Sequence, residues 1–304
     1  MDINKGNKLK NMKTSLVASL LMLPLVTFAE PAAVADGTVT ETSLIHEAID
    51  TTHKEPASAD AEKMALAKAS QNPLAAMISV PFQNNTNFNI GPDNDTQNVL
   101  LFQPVVPFDL NDEWNVIART IIPITTQPGS LTGDGTKTGL GNTQLVAYFS
   151  PKETFHDWTW GVAPVLMLPA SNTDYGSKEW GGGLSAVALT MPGKWVFGGL
   201  VTQVWAPSGD ESVQINSTAL QYFINYNLHD GWYLSSAPTM TYNWRAQSGD
   251  RWTVPIGGGG GKVFKWGKQP INFSLRAYTN VVKPTDSSSD WTLQAQITFM
   301  FPKK

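Results

Sequence analysis

From Met77 to Phe301 the chain has a single texture. Twelve runs of about ten to fourteen residues carry apolar side chains at alternate positions, and turn residues close each run. A period of two is the signature of a β-strand. The last run, WTLQAQITFMF, is the clearest. Trp291, Leu293, Ala295, Ile297, Phe299 and Phe301 fall on one face, and Thr292, Gln294, Gln296, Thr298 and Met300 on the other. The connections alternate in character. DLNDEW, SPKETFHDW, MPGKW, LHDGW and WGKQP are tight, whereas NIGPDNDT, QPGSLTGDGTKTG, ASNTDYGSK, PSGDES, AQSGD and PTDSSSD are mostly longer and rich in Gly, Ser, Thr and Asp. Tight turns on one side and long loops on the other predict an all-β fold, a transmembrane antiparallel up-and-down β-barrel of about twelve strands. Its turns would be periplasmic and its loops extracellular.

The alternation leaves open which face is inside, and two features choose. Charge is scarce within the runs and concentrates in turns and loops, although a solvated sheet face would tolerate Lys and Glu anywhere. The tryptophans also gather at run ends. Trp114, Trp158, Trp195 and Trp232 follow tight turns at intervals of 44, 37 and 37 residues, while Trp205, Trp244 and Trp291 lie beside long loops, as do Trp180 and Trp252. Two rings a strand apart match interfacial girdles, where an apolar ring with one N–H fits best. A propeller blade would place four short strands in a repeat that here holds two long ones. The apolar faces are therefore expected to meet lipid, with the amide and hydroxyl faces lining the lumen. Six prolines inside the runs, Pro104, Pro107, Pro123, Pro164, Pro169 and Pro238, are expected to interrupt ladders, because proline lacks the donor. IGGGGG, Ile256 to Gly261, requires a bend or a close approach by the N-terminal segment.

Residues 1–29 read as a signal peptide: Lys5, Lys8, Lys10 and Lys13, a short apolar core, then Thr27-Phe28-Ala29. Residues 30–72 read as a flexible periplasmic segment with a short helix over Ser58 to Ser70, N-capped by Ser58 and ended by Pro73, which could plug the periplasmic mouth. Residues 73–304 form the barrel. Past the leader, 17 basic residues face 24 acidic ones, a net charge of −7, which argues against a nucleic-acid partner. The absence of cysteine excludes disulfides and thiolate metal sites. These features predict an exported protein of the Gram-negative outer membrane. Its partners would be outer-membrane lipid, periplasmic chaperones, the barrel-assembly machinery and a small solute.

No catalytic, metal or cofactor site stands out. His156 and His229 fall in tight turns beside Asp157 and Asp230, far from where a lipid-modifying triad would sit. GGGGGK lacks the context of a phosphate loop, and the loop aspartates read as a solvated rim. The lumen candidates are Arg119, Arg245, Arg276, Tyr233, Tyr278, Gln294 and Gln296, with Phe223 and Met167 as apolar lining. Arginines facing inward suit a constriction that favours an anionic or aromatic solute. The residues therefore point to a channel or transporter rather than an enzyme. A lipid-modifying enzyme and a structural or surface-interaction barrel are the alternatives.

NPLAAMISVPFQNNTNFNIGP, QPVVPFDLNDEWNVIARTIIPI, GLGNTQLVAYFSPK, WGVAPVLMLP and FMFPK resemble a family of bacterial outer-membrane barrels often labelled transporters, or mislabelled neuromedin U. That family is similar to the barrels of the MetA-pathway phenol-degradation type. The resemblance covers about 72 to 304 and implies an outer-membrane barrel with a transport-related role. It carries no functional residues across.

Overall fold

The computed structural model describes residues 55–91, 93–133, 135–207, 214–285 and 289–301. The expected signal peptide, and the 30–72 segment as far as residue 54, lie outside the described residues. Fifteen strand segments form one closed antiparallel sheet: β1 (Ile78–Ile90), β2 (Asp95–Phe102), β3 (Val105–Asp109), β4 (Trp114–Gln127), β5 (Lys137–Leu140), β6 (Gln144–Pro151), β7 (Trp158–Met167), β8 (Gly181–Thr190), β9 (Trp195–Ala206), β10 (Ile215–Asn227), β11 (Trp232–Ser236), β12 (Thr239–Asn243), β13 (Trp252–Trp266), β14 (Gln269–Val282) and β15 (Trp291–Phe301). Three pairs, β2 with β3, β5 with β6 and β11 with β12, are the halves of single interrupted strands, so the barrel has twelve. The last strand closes it by pairing with the first, from Ile78 opposite Phe301 to Phe88 opposite Trp291.

Two of the interruptions fall at prolines. Pro104 separates β2 from β3, and Pro238 separates β11 from β12. Pro164 sits in β7 where its ladder with β6 skips from Val146–Val165 to Phe149–Val162. Pro123 stays in β4 opposite the break between β5 and β6, where its carbonyl accepts from Gly141 N–H at 2.9 Å. Pro107 remains in register with Ile117, and Pro169 lies just past the end of β7. At the Pro238 break, side chains replace the missing ladder partners, as buried backbone groups require. Ala237 N–H donates to the Tyr278 hydroxyl at 3.2 Å, and Ala237 C=O accepts from Gln221 Nε2 at 3.1 Å.

The outer face is apolar over most of the circumference, with Asn84, Thr86 and Asn98 hydrogen-bonded together on the outer side of β1 and β2. Leu145, Phe149, Val162, Leu166, Leu184, Val201, Leu220, Ile224, Leu234, Phe273 and Leu275 all stand on it, exposed. The inner face has two halves. Along β14, β15, β1 and β2 it carries Asn272, Ser274, Gln296, Gln294, Gln83, Asn85 and Gln97, as the alternation predicted. Along β6 to β9 it is apolar instead. Val146, Val165, Met167, Val187, Leu189, Val196 and Val204 pack together with Leu74, which enters from the N-terminal segment. The expectation of an amide-and-hydroxyl lumen therefore holds for one side only, and the other side is a packed core. A lumen of this width is narrow enough for side chains to fill.

The glycine run lies on β13, and its inner-face members Gly257, Gly259 and Gly261 leave no side chain between β11 and β14. Two tyrosines cross that bare surface in opposite directions. Tyr233 of β11 passes over Gly261 to donate to Asn272 Oδ1 of β14 at 2.7 Å. Tyr278 of β14, paired with Gly257, reaches the backbone of Ala237 at the end of β11. A Cβ on Gly261 would stand 2.4 Å from the Tyr233 ring, and one on Gly259 would stand 2.0 Å from the Leu275 carbonyl. The close approach is made by two tyrosine rings rather than by the N-terminal segment. Gly259→Ala is expected to destabilise the barrel by about 2–3 kcal/mol, since a backbone carbonyl must move. At the outward-facing Gly260, where the nearest atom would be 3.1 Å away, alanine should cost under ~1 kcal/mol. Urea unfolding in lipid vesicles measures the difference.

Candidate functional site

Helix α1 spans Glu55–Gln71, beginning three residues before the expected start and ending two before Pro73. It has a thin apolar stripe. Ala67 is buried against Met77, Tyr233, Val263 and Met300, with Leu66 and Ala69 beside it. The rest of its seat on the turn side of the barrel is polar. Lys63 and Lys262 (2.6 Å) both pair with Asp230, and Glu62 pairs with Lys265 at 2.7 Å. Lys68 donates to the Met191 carbonyl, Gln71 exchanges hydrogen bonds with Asn227, and Asn272 Nδ2 donates to Ser70 Oγ at 2.9 Å. This part of the segment expected to be flexible is thus packed against the barrel.

Asp230 occupies a short 3-10 turn, His229–Gly231, beyond the strand ends. Hydrogen bonds from Lys262 and Lys63 hold its carboxyl pKa at about 2, and the bond to Asp230 raises the Lys63 ammonium above its usual range. The Asp230 contribution to seating is present above pH 3.8 and is lost as pH falls through about 2. The Lys63 contribution is present below 10.5 and is lost as pH rises through the raised value. Because the sequence has no cysteine, a nitroxide on Ala59→Cys, an exposed position of the helix, can report α1 alone. Its spectrum is expected to stay immobilised at neutral pH and to sharpen at about pH 2, or at pH 7 in Asp230→Asn.

Above the C-terminal end of α1 lies a lumen cavity of about 180 Å³. Its floor is Ser70, Gln71 and Asn72, and its walls include Gln83, Gln103, Arg119, Tyr233, Asn272, Ser274, Arg276, Gln294 and Gln296. Among the described residues lining it, there are two arginines and no carboxylate. Arg119 donates to Gln103, which is itself buried. Arg276 Nη2 donates to Gln296 at 2.8 Å and to Ser274 at 3.2 Å, while its buried Nε has no protein partner. A second cavity of about 500 Å³ lies on the loop side, lined by Asn85, Asn87, Gln97, Thr241, Tyr278 and Thr292 among others, with no charged residue among the described ones. Gln83, Gln294 and Ala237 line both, so they mark the junction.

Six of the seven lumen candidates face inward: Arg119, Arg276, Tyr233, Tyr278, Gln294 and Gln296. Arg245 does not. β12 ends at Asn243, whose Oδ1 accepts from Arg245 N–H at 3.0 Å, and this turn places Arg245 on the exposed loop side. Phe223 lines the cavity and Met167 belongs to the apolar core. On the outer face, Trp158, Trp195 and Trp232 at the turn side and Trp205, Trp244 and Trp291 at the loop side are all exposed. Trp114 is half-buried edge-to-face against Trp160. Trp232 shares its face with Lys262, whose ammonium lies 4.9 Å from the ring. Gln103, at an inward position beside Pro104, and Asn272, on the inward face of β14, also line the cavity without standing among the candidates; their signal is an amide in the inward register.

Among solved structures, an outer membrane channel from Pseudomonas putida F1 is similar over 74% of this chain and 95% of its own, at a TM-score of 0.60 and 17% identity. Outer membrane phospholipase A from Escherichia coli matches over 74% of this chain and 96% of its own, at a TM-score of 0.41 and 12% identity. No protein-family model matches the sequence, and no curated protein matches it.

Proposed function

We propose that this chain is an outer-membrane channel for small organic anions, exported by its N-terminal signal. The observation that carries this reading is the pair Arg119 and Arg276 in a cavity without a carboxylate. A guanidinium withdrawn from water costs several kcal/mol unless an opposite charge accompanies it. Amides satisfy some of the donors here, but none of them neutralises the charge. An anion entering the lumen supplies the charge and accepts hydrogen bonds from the guanidinium groups that line the cavity. The amide-lined chamber above, polar but uncharged, gives such a solute hydrogen bonds on its way in without holding it. The likeness to a protein described as an outer membrane channel supports the same reading.

The test uses the full chain in planar bilayers across a potassium chloride gradient, with uptake of acetate and benzoate by liposomes as a second readout. A reversal potential of the sign set by chloride is expected. Absence of both current and uptake would overturn the channel reading.

A further inference from the structure

We infer that Tyr278, pinned to the Ala237 backbone where the two chambers meet, forms the neck that sets the size limit for solute passage, an inference that rests on the channel reading. The two chambers meet where Gln83, Gln294 and Ala237 are shared. Gln83 and Gln294 come from β1 and β15, which pair with each other. On the other side of the junction is Ala237, an alanine at the strand break, which by itself would leave the passage wide. The bulk there comes from Tyr278, reaching across β13.

Three local features hold that ring in place, and each has a sequence cause. Pro238 ends the β11 ladder, so the Ala237 N–H lacks a strand partner and takes the phenol oxygen instead, at 3.2 Å. Gly257 and Gly259 leave the inner surface of β13 bare, so the ring can cross it. Gln221 satisfies the Ala237 carbonyl and fixes the break from the other side. A tyrosine whose hydroxyl is anchored at the far end acts as a cross-bar with little rotameric freedom. It is therefore suited to defining an aperture. On the neighbouring β15, Gln294 is tied to Asn85 at 3.0 Å, so that rim is also held. The arginines line the chamber beneath, on the helix side. Charge selection and size selection thus fall to different residues at different depths.

Permeabilities of chloride, acetate, benzoate and gluconate, measured by reversal potential on the full chain, separate the two properties. Tyr278→Ala is expected to raise the permeability of gluconate relative to chloride at least tenfold, with the anion-to-cation ratio unchanged. Tyr278→Phe keeps the ring but loses the anchor and should fall between. If Tyr278→Ala fails to give a heat-modifiable folded barrel, the double variant Gln83→Ala/Gln294→Ala opens the same junction from its other rim and should raise gluconate permeability similarly. An unchanged gluconate-to-chloride ratio in the folded variants would overturn the neck while leaving the channel reading intact. A wild-type chain with neither current nor uptake would sink both.

Discussion

Replacing Arg119 and Arg276 together with glutamine is expected to abolish anion preference, moving the reversal potential in a potassium chloride gradient to zero or past it. Two unit charges a few ångströms apart interact by about 4 kcal/mol at the effective dielectric suited to protein sites. A factor of ten in selectivity requires about 1.4 kcal/mol. Even a strongly screened remnant of one arginine is therefore enough for a measurable preference, and both must be removed to erase it. Glutamine retains hydrogen-bonding capacity toward Gln103 and Gln296, the present partners of the two arginines, so the lumen wall should stay in place. Each single variant should keep part of the preference, since the other arginine still lines the cavity. Lysine at position 276 should preserve the sign of the potential but weaken benzoate uptake, because an ammonium cannot offer a planar fork to a carboxylate. A potential unchanged in the double glutamine variant would remove the main support for an anion route.

Much of the architecture was legible because a barrel wall obeys one strong rule. Alternation gives the strands, and the polarity of each face gives its direction. All twelve runs read from the sequence correspond to strands here, and the apolar face of WTLQAQITFMF does point outward. What alternation could not give was where pairing stops. Arg245 continues the pattern of β12, but the ladder with β13 begins at Trp252, opposite Tyr242, and the ladder with β10 ends at Asn243, opposite Ser217. Nor could it show that half of the lumen is a core. WGVAPVLM and GLSAVALT are apolar on both faces, which in a barrel means one face is packed inside. The glycine run was visible, yet its cause was two tyrosines from other strands, a tertiary relation that no local pattern contains.

Removal of helix α1, by deleting residues 55–71 from the full chain, is expected to produce the largest change in conductance, from a nearly closed barrel to one with frequent openings. The cavity floor is Ser70, Gln71 and Asn72, so a solute held near Arg276 meets the end of the helix before it leaves the barrel on the turn side. Passage therefore requires the helix to shift, and its seat is built for that. Its ion pairs, Lys63 with Asp230 and Glu62 with Lys265, are exposed, individually weak and screened by salt. Its apolar grip is confined to Ala67 and its neighbours. The wall itself does not depend on the helix, since the strand ladder closes on its own around the circumference. The deletion should therefore still fold, with a lower melting temperature because Tyr233, Val263 and Met300 lose their cover. Raising salt on the intact chain should mimic the deletion in part, increasing open time beyond the rise in conductivity. Asp230→Asn should do so at ordinary salt, because it releases Lys63 and Lys262 together. If the deleted barrel conducts no better than the intact one, the block lies elsewhere, and the narrowest place left along the route is the junction beneath Tyr278.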